Sequence, residues 1–191
     1  MSQTNPHPGS VVDPRQLRNA FGKFATGVTV VTCRTPDGTP HGATVNAFTA
    51  VSLDPPLAQV TLIRGNRASR YLEKSPFAIN IMSTDQLATC LHFAGKPMAT
   101  SPRWRDDGEL PVLQGNAATL ECVPWRTYDG GDHVIVIGEV VHIAVADNRP
   151  LLFTSGQFRE VGEFCGGNPW EMSGDSLATG WFEGTTTFAS F

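Results

Sequence analysis

A run of small side chains over residues 42–52 is the first feature of the sequence with the chemistry to hold a cofactor. Its sequence is Gly42-Ala43-Thr44-Val45-Asn46-Ala47-Phe48-Thr49-Ala50-Val51-Ser52. Small residues let a flat ring lie close to the backbone, whose N–H and C=O groups then contact the polar edge of the ring. Thr44, Asn46, Thr49 and Ser52 add hydrogen-bonding side chains. The alternative interpretation is a strand with one polar, solvated face.

Two further segments have residue types that suit the rest of a nucleotide. The segment Arg64-Gly65-Asn66-Arg67-Ala68-Ser69 begins a predicted helix, and its free N–H groups, hydroxyl and two arginines are typical of a phosphate site. The segment Gly130-Gly131-Asp132-His133 is a turn before a strand, and His133 has the chemistry to stack on or hydrogen-bond a nicotinamide or its ribose. The alternatives are an ordinary capped helix with exposed arginines and a surface turn with an exposed histidine.

Several catalytic and nucleotide-binding motifs are absent from the sequence. No two glycines are separated by a single residue, which excludes a GxGxxG motif and argues against a Rossmann unit. Walker A, GxSxG and HExxH motifs are also missing, and the histidines show no zinc-ligand spacing with cysteine. The sequence therefore gives no support to a hydrolase or a metalloenzyme, and we expect no metal.

Composition narrows the class of protein further. The chain has 191 residues and a formal net charge of −4, which disfavours nucleic acid as the main partner. No apolar run reaches the about 20 residues of a membrane span, and the N-terminus lacks the pattern of a secretory signal. Cys33, Cys90, Cys122 and Cys165 are far apart, which favours buried free thiols over disulfides or metal ligands. We therefore expect a cytoplasmic protein.

The pattern of elements predicts a mainly β fold. Asp13 and Pro14 suit the start of a helix that carries an apolar stripe of Leu17, Phe21 and Phe24 and ends at Gly27. Further helices are expected after Asn66 and, from a capping box of Ser83 and Gln86, up to about Phe93. Strands are predicted over residues 28–33, 41–53 (with a bend), 57–63, 77–82, 117–128, 133–146 and 151–153. This order predicts an antiparallel barrel with helices on the outside.

One domain is expected, over residues 13–163. Residues 1–12 are polar and proline-rich, which predicts a flexible tail. Residues 164–191 are rich in Gly, Thr, Ser, Phe and Trp and have little periodicity. We interpret them as a C-terminal extension that packs across a barrel mouth, packs on a second subunit, or is largely disordered.

Five motifs in order along the chain resemble one known family. They are Phe24-Ala25-Thr26-Gly27-Val28-Thr29-Val30-Val31-Thr32, residues 42–52 with Leu53-Asp54-Pro55-Pro56-Leu57, Phe77-Ala78-Ile79-Asn80-Ile81-Met82, Phe93-Ala94-Gly95, and Gly131-Asp132-His133 leading to Ile137-Gly138-Glu139-Val140. The sequence is similar to the flavin reductase components of two-component flavin-dependent monooxygenases. The resemblance covers residues 18–159 and implies the FMN-binding split-barrel fold.

The resemblance also implies roles for individual residues. Thr44, Val45, Asn46 and Ala47 match the strand that lines the isoalloxazine ring, and Ser52 matches the end of that motif. The positions that match the region around the ribityl phosphate are Asn66, Ala68 and Ser69, and those that match a loop at the edge of the flavin are Phe93, Ala94 and Gly95. His133 matches the histidine associated with NADH binding, and Arg159 is expected on the pyridine-nucleotide side.

By the same resemblance, the protein is expected to transfer a hydride from NADH, or NADPH, to FMN or FAD and to supply reduced flavin to an oxygenase component. The cofactors perform this chemistry, so no catalytic side chain is required. A homodimer is implied, with flavin near the subunit interface. The alternatives are a non-enzymatic flavin- or haem-binding barrel and an oxidase of the pyridoxine phosphate type. The latter calls for a denser basic cluster than Arg64 and Arg67 provide.

Overall fold

The chain forms three α-helices and ten β-strands within residues 12–105 and 108–163, which are the residues that the computed structural model describes. The helices are α1 (Pro14–Phe21), α2 (Arg67–Leu72) and α3 (Leu87–Phe93). The strands are β1 (Thr26–Gly27), β2 (Thr29–Arg34), β3 (Pro40–Val45), β4 (Phe48–Leu53), β5 (Pro56–Ile63), β6 (Phe77–Ile81), β7 (Ala118–Gly130), β8 (His133–Val145), β9 (Leu151–Thr154) and β10 (Gln157–Glu160). The extension 164–191 and all of the N-terminal tail except Val12 lie outside the described residues.

Seven of the strands form one curled antiparallel sheet in the order β3-β2-β6-β7-β8-β5-β4. Its two edge strands, β3 and β4, follow each other in the chain and are separated only by Asn46 and Ala47. Because consecutive strands lie at opposite edges, the sheet must bend around on itself. The Ala47 carbonyl accepts a hydrogen bond from the Thr61 N–H of β5 (3.0 Å) at this closure. The predicted mainly β, antiparallel split barrel is confirmed.

The predicted single bent strand over residues 41–53 is therefore two strands. The chain leaves the β2 partner after Val45 and joins β5 from Phe48, so the break falls inside the small-residue segment. Pro56, expected to lie outside a strand, is the first residue of β5, a position where its missing N–H costs no ladder hydrogen bond.

The first helix is shorter than predicted. The sequence pattern predicts that the helix ends at Gly27, but α1 ends at Phe21. There the Gly22 N–H donates to the Arg18 carbonyl (2.9 Å), and two tight turns follow. The start is as predicted, since the Asp13 side chain accepts a hydrogen bond from the Arg15 N–H. The apolar stripe is exposed on this chain: Leu17, Phe21 and Phe24 keep 40%, 70% and 77% of their accessible surface.

The core consists of two apolar clusters on either side of β2. Val31 and Cys33 belong to the cluster inside the barrel, with Val60, Leu62 and Ile79 among their neighbours. Val28 and Val30 belong to a second cluster, which contains Met82, Cys90, Leu113 and Leu151. Successive strand residues point to opposite faces, and β2 is buried on both faces because all its residues from Thr29 to Cys33 are buried.

Three of the four cysteines are buried free thiols, as the sequence predicts. Burial raises the pKa of Cys33 to about 11, and that of Cys90 and of Cys122 to about 12. These thiols stay protonated near neutral pH and behave as small apolar side chains. Cys165 lies outside the described residues. No helix within residues 12–105 and 108–163 is long and apolar enough to cross a membrane.

Gly138 lies tightly against side chains of the two strands β6 and β7. A Cβ atom at this position would lie 2.6 Å from Cζ of Phe77 and 2.8 Å from Cβ of Cys122. The pairing of β7 with β8 also shifts here, because Pro124 lies opposite Gly138 and Arg126 opposite Ile137. Glycine is needed because two buried side chains occupy the space that a Cβ would take.

We expect Gly138→Ala to lower the free energy of unfolding by about 1–3 kcal/mol, because overpacking a full core forces its neighbours to shift. Urea denaturation measures the change. The matched control is Gly65→Ala, where a new Cβ meets no atom within 4 Å. Equal stability of the two variants would contradict the packing described for Gly138.

Candidate functional site

A groove of about 190 Å³ opens beside the end of β3, where the small-residue segment leaves the barrel. Three of its lining residues, Thr44, Val45 and Asn46, come from that segment. Ala94, just after α3, forms another part of the wall. The remaining lining residues are apolar and come from distant parts of the chain: Val28, Phe153 and Phe158. Four of the predicted site residues therefore meet in one concave, mostly apolar surface.

Two hydroxyl groups hold β3 in place beside the groove. The Thr44 hydroxyl donates to the Cys90 carbonyl of α3 (2.7 Å), and the Thr29 hydroxyl donates to the Val45 carbonyl (2.9 Å). The Thr44 side chain is thus used to join a helix to a strand. Because β3 is an edge strand of the seven-stranded sheet, one edge of its backbone faces away from the ladder with β2. A ligand beside this strand can therefore bond to main-chain groups and meets few bulky side chains.

The end of α3 packs against the same strand. Phe93 lies so close to Gly42 that a Cβ there would be 3.0 Å from two of its ring atoms. The Phe93 ring also meets Trp104 edge-on, with centroids 6.0 Å apart. Gly95 has φ +91°, so the chain turns sharply after Ala94. The smallness of Gly42 serves helix packing, and of the predicted Phe93-Ala94-Gly95 loop only Ala94 lines the groove.

The aromatic wall of the groove comes from a hairpin, β9–β10, that was not predicted from the sequence. Phe153 on β9 and Phe158 on β10 are in edge contact, with ring centroids 5.2 Å apart. Ser155 and Gly156 have φ values of 48° and 76°, as a tight two-residue turn requires. The Ser155 N–H donates to the Gly22 carbonyl (2.7 Å), which joins the hairpin to the end of α1. The Ser-Gly pair between two short alternating segments is the signal that identifies this hairpin.

The predicted phosphate segment is a capped helix start. The Asn66 carboxamide oxygen accepts from the Ala68 N–H (2.9 Å), and the Ser69 hydroxyl donates to the Asn66 carbonyl (2.7 Å). Ala68 and Ser69 are buried. The side chains of this segment therefore stabilise the start of α2, which confirms the predicted cap at Asn66.

The predicted nicotinamide turn lies directly against that segment. Arg64 donates from Nε to the Gly131 carbonyl (2.8 Å) and pairs through Nη2 with Asp129 (2.9 Å). Nδ1 of His133 lies 2.6 Å from Oδ1 of Asp132. This contact with His133 holds the pKa of Asp132 below its usual value, and the Gly131 N–H together with Arg64 does the same for Asp129. Two segments that are separate in the sequence thus form one surface.

The groove and this turn lie along the same strand. Thr61 of β5 donates to Ala47, next to the groove, and Ile63, two residues further along β5, pairs with His133. Two residues of an antiparallel strand span about 7 Å. The ring-sized groove, the start of α2 and His133 are therefore neighbours on one rim of the barrel.

Two predicted site residues lie away from this rim. Ser52 pairs with Leu57 near the far end of β4. It lies five residues after Ala47, which in a strand corresponds to a distance of roughly 17 Å between the two. Arg159 follows Phe158 on β10, so its side chain points to the opposite face of the strand, where it bonds to Gln157. The structure does not bring either side chain to the groove.

Comparisons with known proteins agree on one family. A family model described as a flavin reductase like domain matches residues 21–162, which include every residue that lines the groove. An FMN reductase (NADH), SmoA, of Agrobacterium fabrum is 42% identical over 147 residues, 75% of this chain and 84% of that protein. The reductase subunit HsaB of a flavin-dependent monooxygenase, from Rhodococcus jostii, is 34% identical over 160 residues, 78% of this chain and 79% of that protein. The solved structure of an NADH:FAD oxidoreductase, SgcE6, of Streptomyces globisporus has a TM-score of 0.71 at 35% identity and covers 82% of this chain and 100% of that one.

Proposed function

The chain belongs to the flavin reductase-like family, and from this premise we propose that it reduces FMN or FAD with NADH and supplies the reduced flavin to a flavin-dependent monooxygenase. The observation that carries the proposal is the groove beside Thr44, Val45 and Asn46. It combines slim side chains, an exposed backbone edge and an aromatic wall at the position where the family resemblance requires a flavin ring.

The dimensions of the groove suit a ring rather than a whole nucleotide. Pockets that enclose a drug-sized ligand measure about 300–1,000 Å³, whereas this one has about 190 Å³. We therefore place the isoalloxazine ring in the groove and the ribityl chain along Ala47 toward the start of α2, near Asn66, Ala68 and Ser69. Such an arrangement leaves the flavin shallow enough to depart after reduction.

When both cofactors are bound, the nicotinamide supplies a hydride that the flavin ring accepts. The contribution of the protein is positioning, which supplies about 7–11 kcal/mol in the best intramolecular cases. Backbone N–H groups of Val45–Ala47 would stabilise negative charge at the polar edge of a bound ring. Phe153 and Phe158 would keep water away from the apolar wall of the groove. No side chain needs to act as a nucleophile or a general base.

The surroundings of His133 support NADH over NADPH as the donor. The turn contains Asp129 and Asp132, whose lowered pKa values keep both carboxylates ionised at neutral pH. Negative charge disfavours the 2′-phosphate of NADPH. Arg64, the nearby cation, already pairs with Asp129.

Residues 13–163 form the reductase domain in this proposal, flanked by the tail 1–12 and the extension 164–191. We assign the protein to the cytoplasm, which the buried free thiols support. We also assign it a homodimeric state, supported by the exposed apolar residues Val141, Ile143 and Val145 on β8.

The proposal is tested by an anaerobic assay that crosses FMN and FAD with NADH and NADPH. Bleaching of the yellow flavin absorbance with NADH is the expected result, and faster turnover with NADH than with NADPH is expected from the acidic turn. Flavin that stays bound through gel filtration and is not reduced by either nicotinamide would instead support a non-enzymatic flavin-binding barrel.

We expect His133→Ala to raise KM for NADH about tenfold, since the loss of one hydrogen bond or stacking contact weakens binding by about 1.4 kcal/mol. The KM for flavin should stay within twofold. His142→Ala, at an exposed position on the same strand, is the matched control. Unchanged KM for NADH in the His133 variant would remove this residue from the nicotinamide site.

A further inference from the structure

We propose that Arg64 is a positioning residue that holds the turn between β7 and β8 in the shape that presents His133, and so sets the affinity for the nicotinamide nucleotide. This inference rests on the proposed function and deepens it. It also gives Arg64 a new role. The sequence places this residue in the predicted phosphate segment, just before Asn66, whereas we now assign it to the nicotinamide side.

The turn depends on outside support for its shape. Gly131 and Asp132 form the turn between the paired residues Gly130 and His133, and Gly131 has φ +75° with open space around it. Residues 125–132 are exposed, so little packing restrains this end of the hairpin. A glycine in an exposed turn samples many conformations. His133 directly follows the turn, so its position depends on the conformation of the turn.

Arg64 makes three contacts with the turn. Its backbone N–H donates to the Asp132 carbonyl (3.1 Å), its Nε donates to the Gly131 carbonyl (2.8 Å), and its Nη2 pairs with Asp129 (2.9 Å). Asp129 in turn accepts from the Gly131 N–H (2.8 Å). Together these bonds fix the backbone from Asp129 to Asp132, immediately before His133.

The same contacts argue against a phosphate role. Two of the three guanidinium nitrogens of Arg64 already bind groups of the turn. The ion pair is exposed, with 47% and 82% of the two side chains accessible, so by itself it adds little to folding stability. The planar guanidinium of Arg64 instead fixes the shape of the turn, because it binds a carbonyl and a carboxylate at the same time. A lysine cannot do this.

The test measures steady-state kinetics and flavin binding for Arg64→Gln, Arg64→Lys and Asp129→Asn. We expect KM for NADH to rise five- to twentyfold in all three variants. The kcat and the KM for FMN should stay within twofold of the wild-type values. The KM for NADH of the double variant Arg64→Gln/Asp129→Asn should be no higher than that of the worse single variant, because both substitutions remove the same interaction. Arg149→Gln is the matched control, since Arg149 likewise binds a carbonyl, of Val161, and a carboxylate, of Glu160, far from His133.

Two comparisons separate this inference from its rivals. If Arg64 contacts the flavin phosphate, the Arg64 variants will bind FMN more weakly than the wild type but riboflavin equally well. That result would overturn the proposal. Hydrogen exchange at the Gly131 amide reports the turn without any activity, and the proposal requires faster exchange in Arg64→Gln. Faster exchange with unchanged KM for NADH, or unchanged exchange, would also overturn it. A wild-type protein that fails to reduce flavin would defeat the proposed function, whereas the exchange result would still report whether the clamp exists.

Discussion

Tryptophan in place of Ala94 is expected to weaken flavin binding at least about 100-fold, which corresponds to about 2.7 kcal/mol. Ala94 is an exposed residue on the wall of the groove, and its methyl group takes up little of the space there. An indole is one of the largest side chains and prefers an apolar surface such as the Phe153–Phe158 pair. It would occupy the volume that we assign to the isoalloxazine ring. Fluorescence titration with FMN measures the loss.

The control for this prediction is Ala99→Trp, the same change at an exposed alanine in the following loop that does not line the groove. Asn46→Trp blocks the groove from the β3 side and is expected to have a similar effect to Ala94→Trp. Flavin binding of wild-type strength in both blocking variants would place the ring somewhere else.

Loss of the Asn80 side chain is expected to cause the largest loss of stability. Asn80 is fully buried on β6, where its carboxamide donates to the Val30 carbonyl and to Thr32 (2.8 and 2.9 Å). It accepts from the Leu113 N–H and from Asn116 (3.0 and 2.9 Å). These bonds join the barrel to the loop before β7. Asn80→Ala leaves several buried polar groups unpaired at about 1–3 kcal/mol each, so we expect a loss of about 3–5 kcal/mol.

Urea denaturation and thermal unfolding measure this effect, and the melting temperature should fall by roughly 10 °C. Asn148→Ala is the control, because Asn148 also bonds two carbonyls, of Gly115 and Asn116, but is exposed. It should lose less than about 1 kcal/mol, since water replaces its partners. A loss below 1 kcal/mol for Asn80→Ala would show that the buried network does not hold the loop.

The features that the sequence predicts well depend on local chemistry. The caps at Asp13 and Asn66 and the capping box of Ser83 and Gln86 use bonds within a few residues, so residue type and spacing identify them. The close approach at Gly138 is also visible in the sequence, because a glycine inside an apolar strand implies a lack of space for a Cβ. The small-residue segment is another local signal, and three of its residues line the groove.

The features that the sequence did not predict depend on contacts between distant parts of the chain. Val28 and the Phe153–Phe158 pair complete the groove from more than 100 residues apart in sequence. Nothing local to Arg64 indicates that its guanidinium binds Asp129 rather than a phosphate. The stripe of Leu17, Phe21 and Phe24 has helical spacing typical of a core face, yet this chain alone leaves it exposed.

The most direct test of the site is a crystal structure of the protein with bound FMN. The isoalloxazine ring is expected against the backbone of Thr44, Val45 and Asn46, with Ala94, Phe153 and Phe158 within van der Waals distance. A ring bound outside this groove, or a groove filled by neighbouring side chains in the flavin complex, would contradict the proposed site.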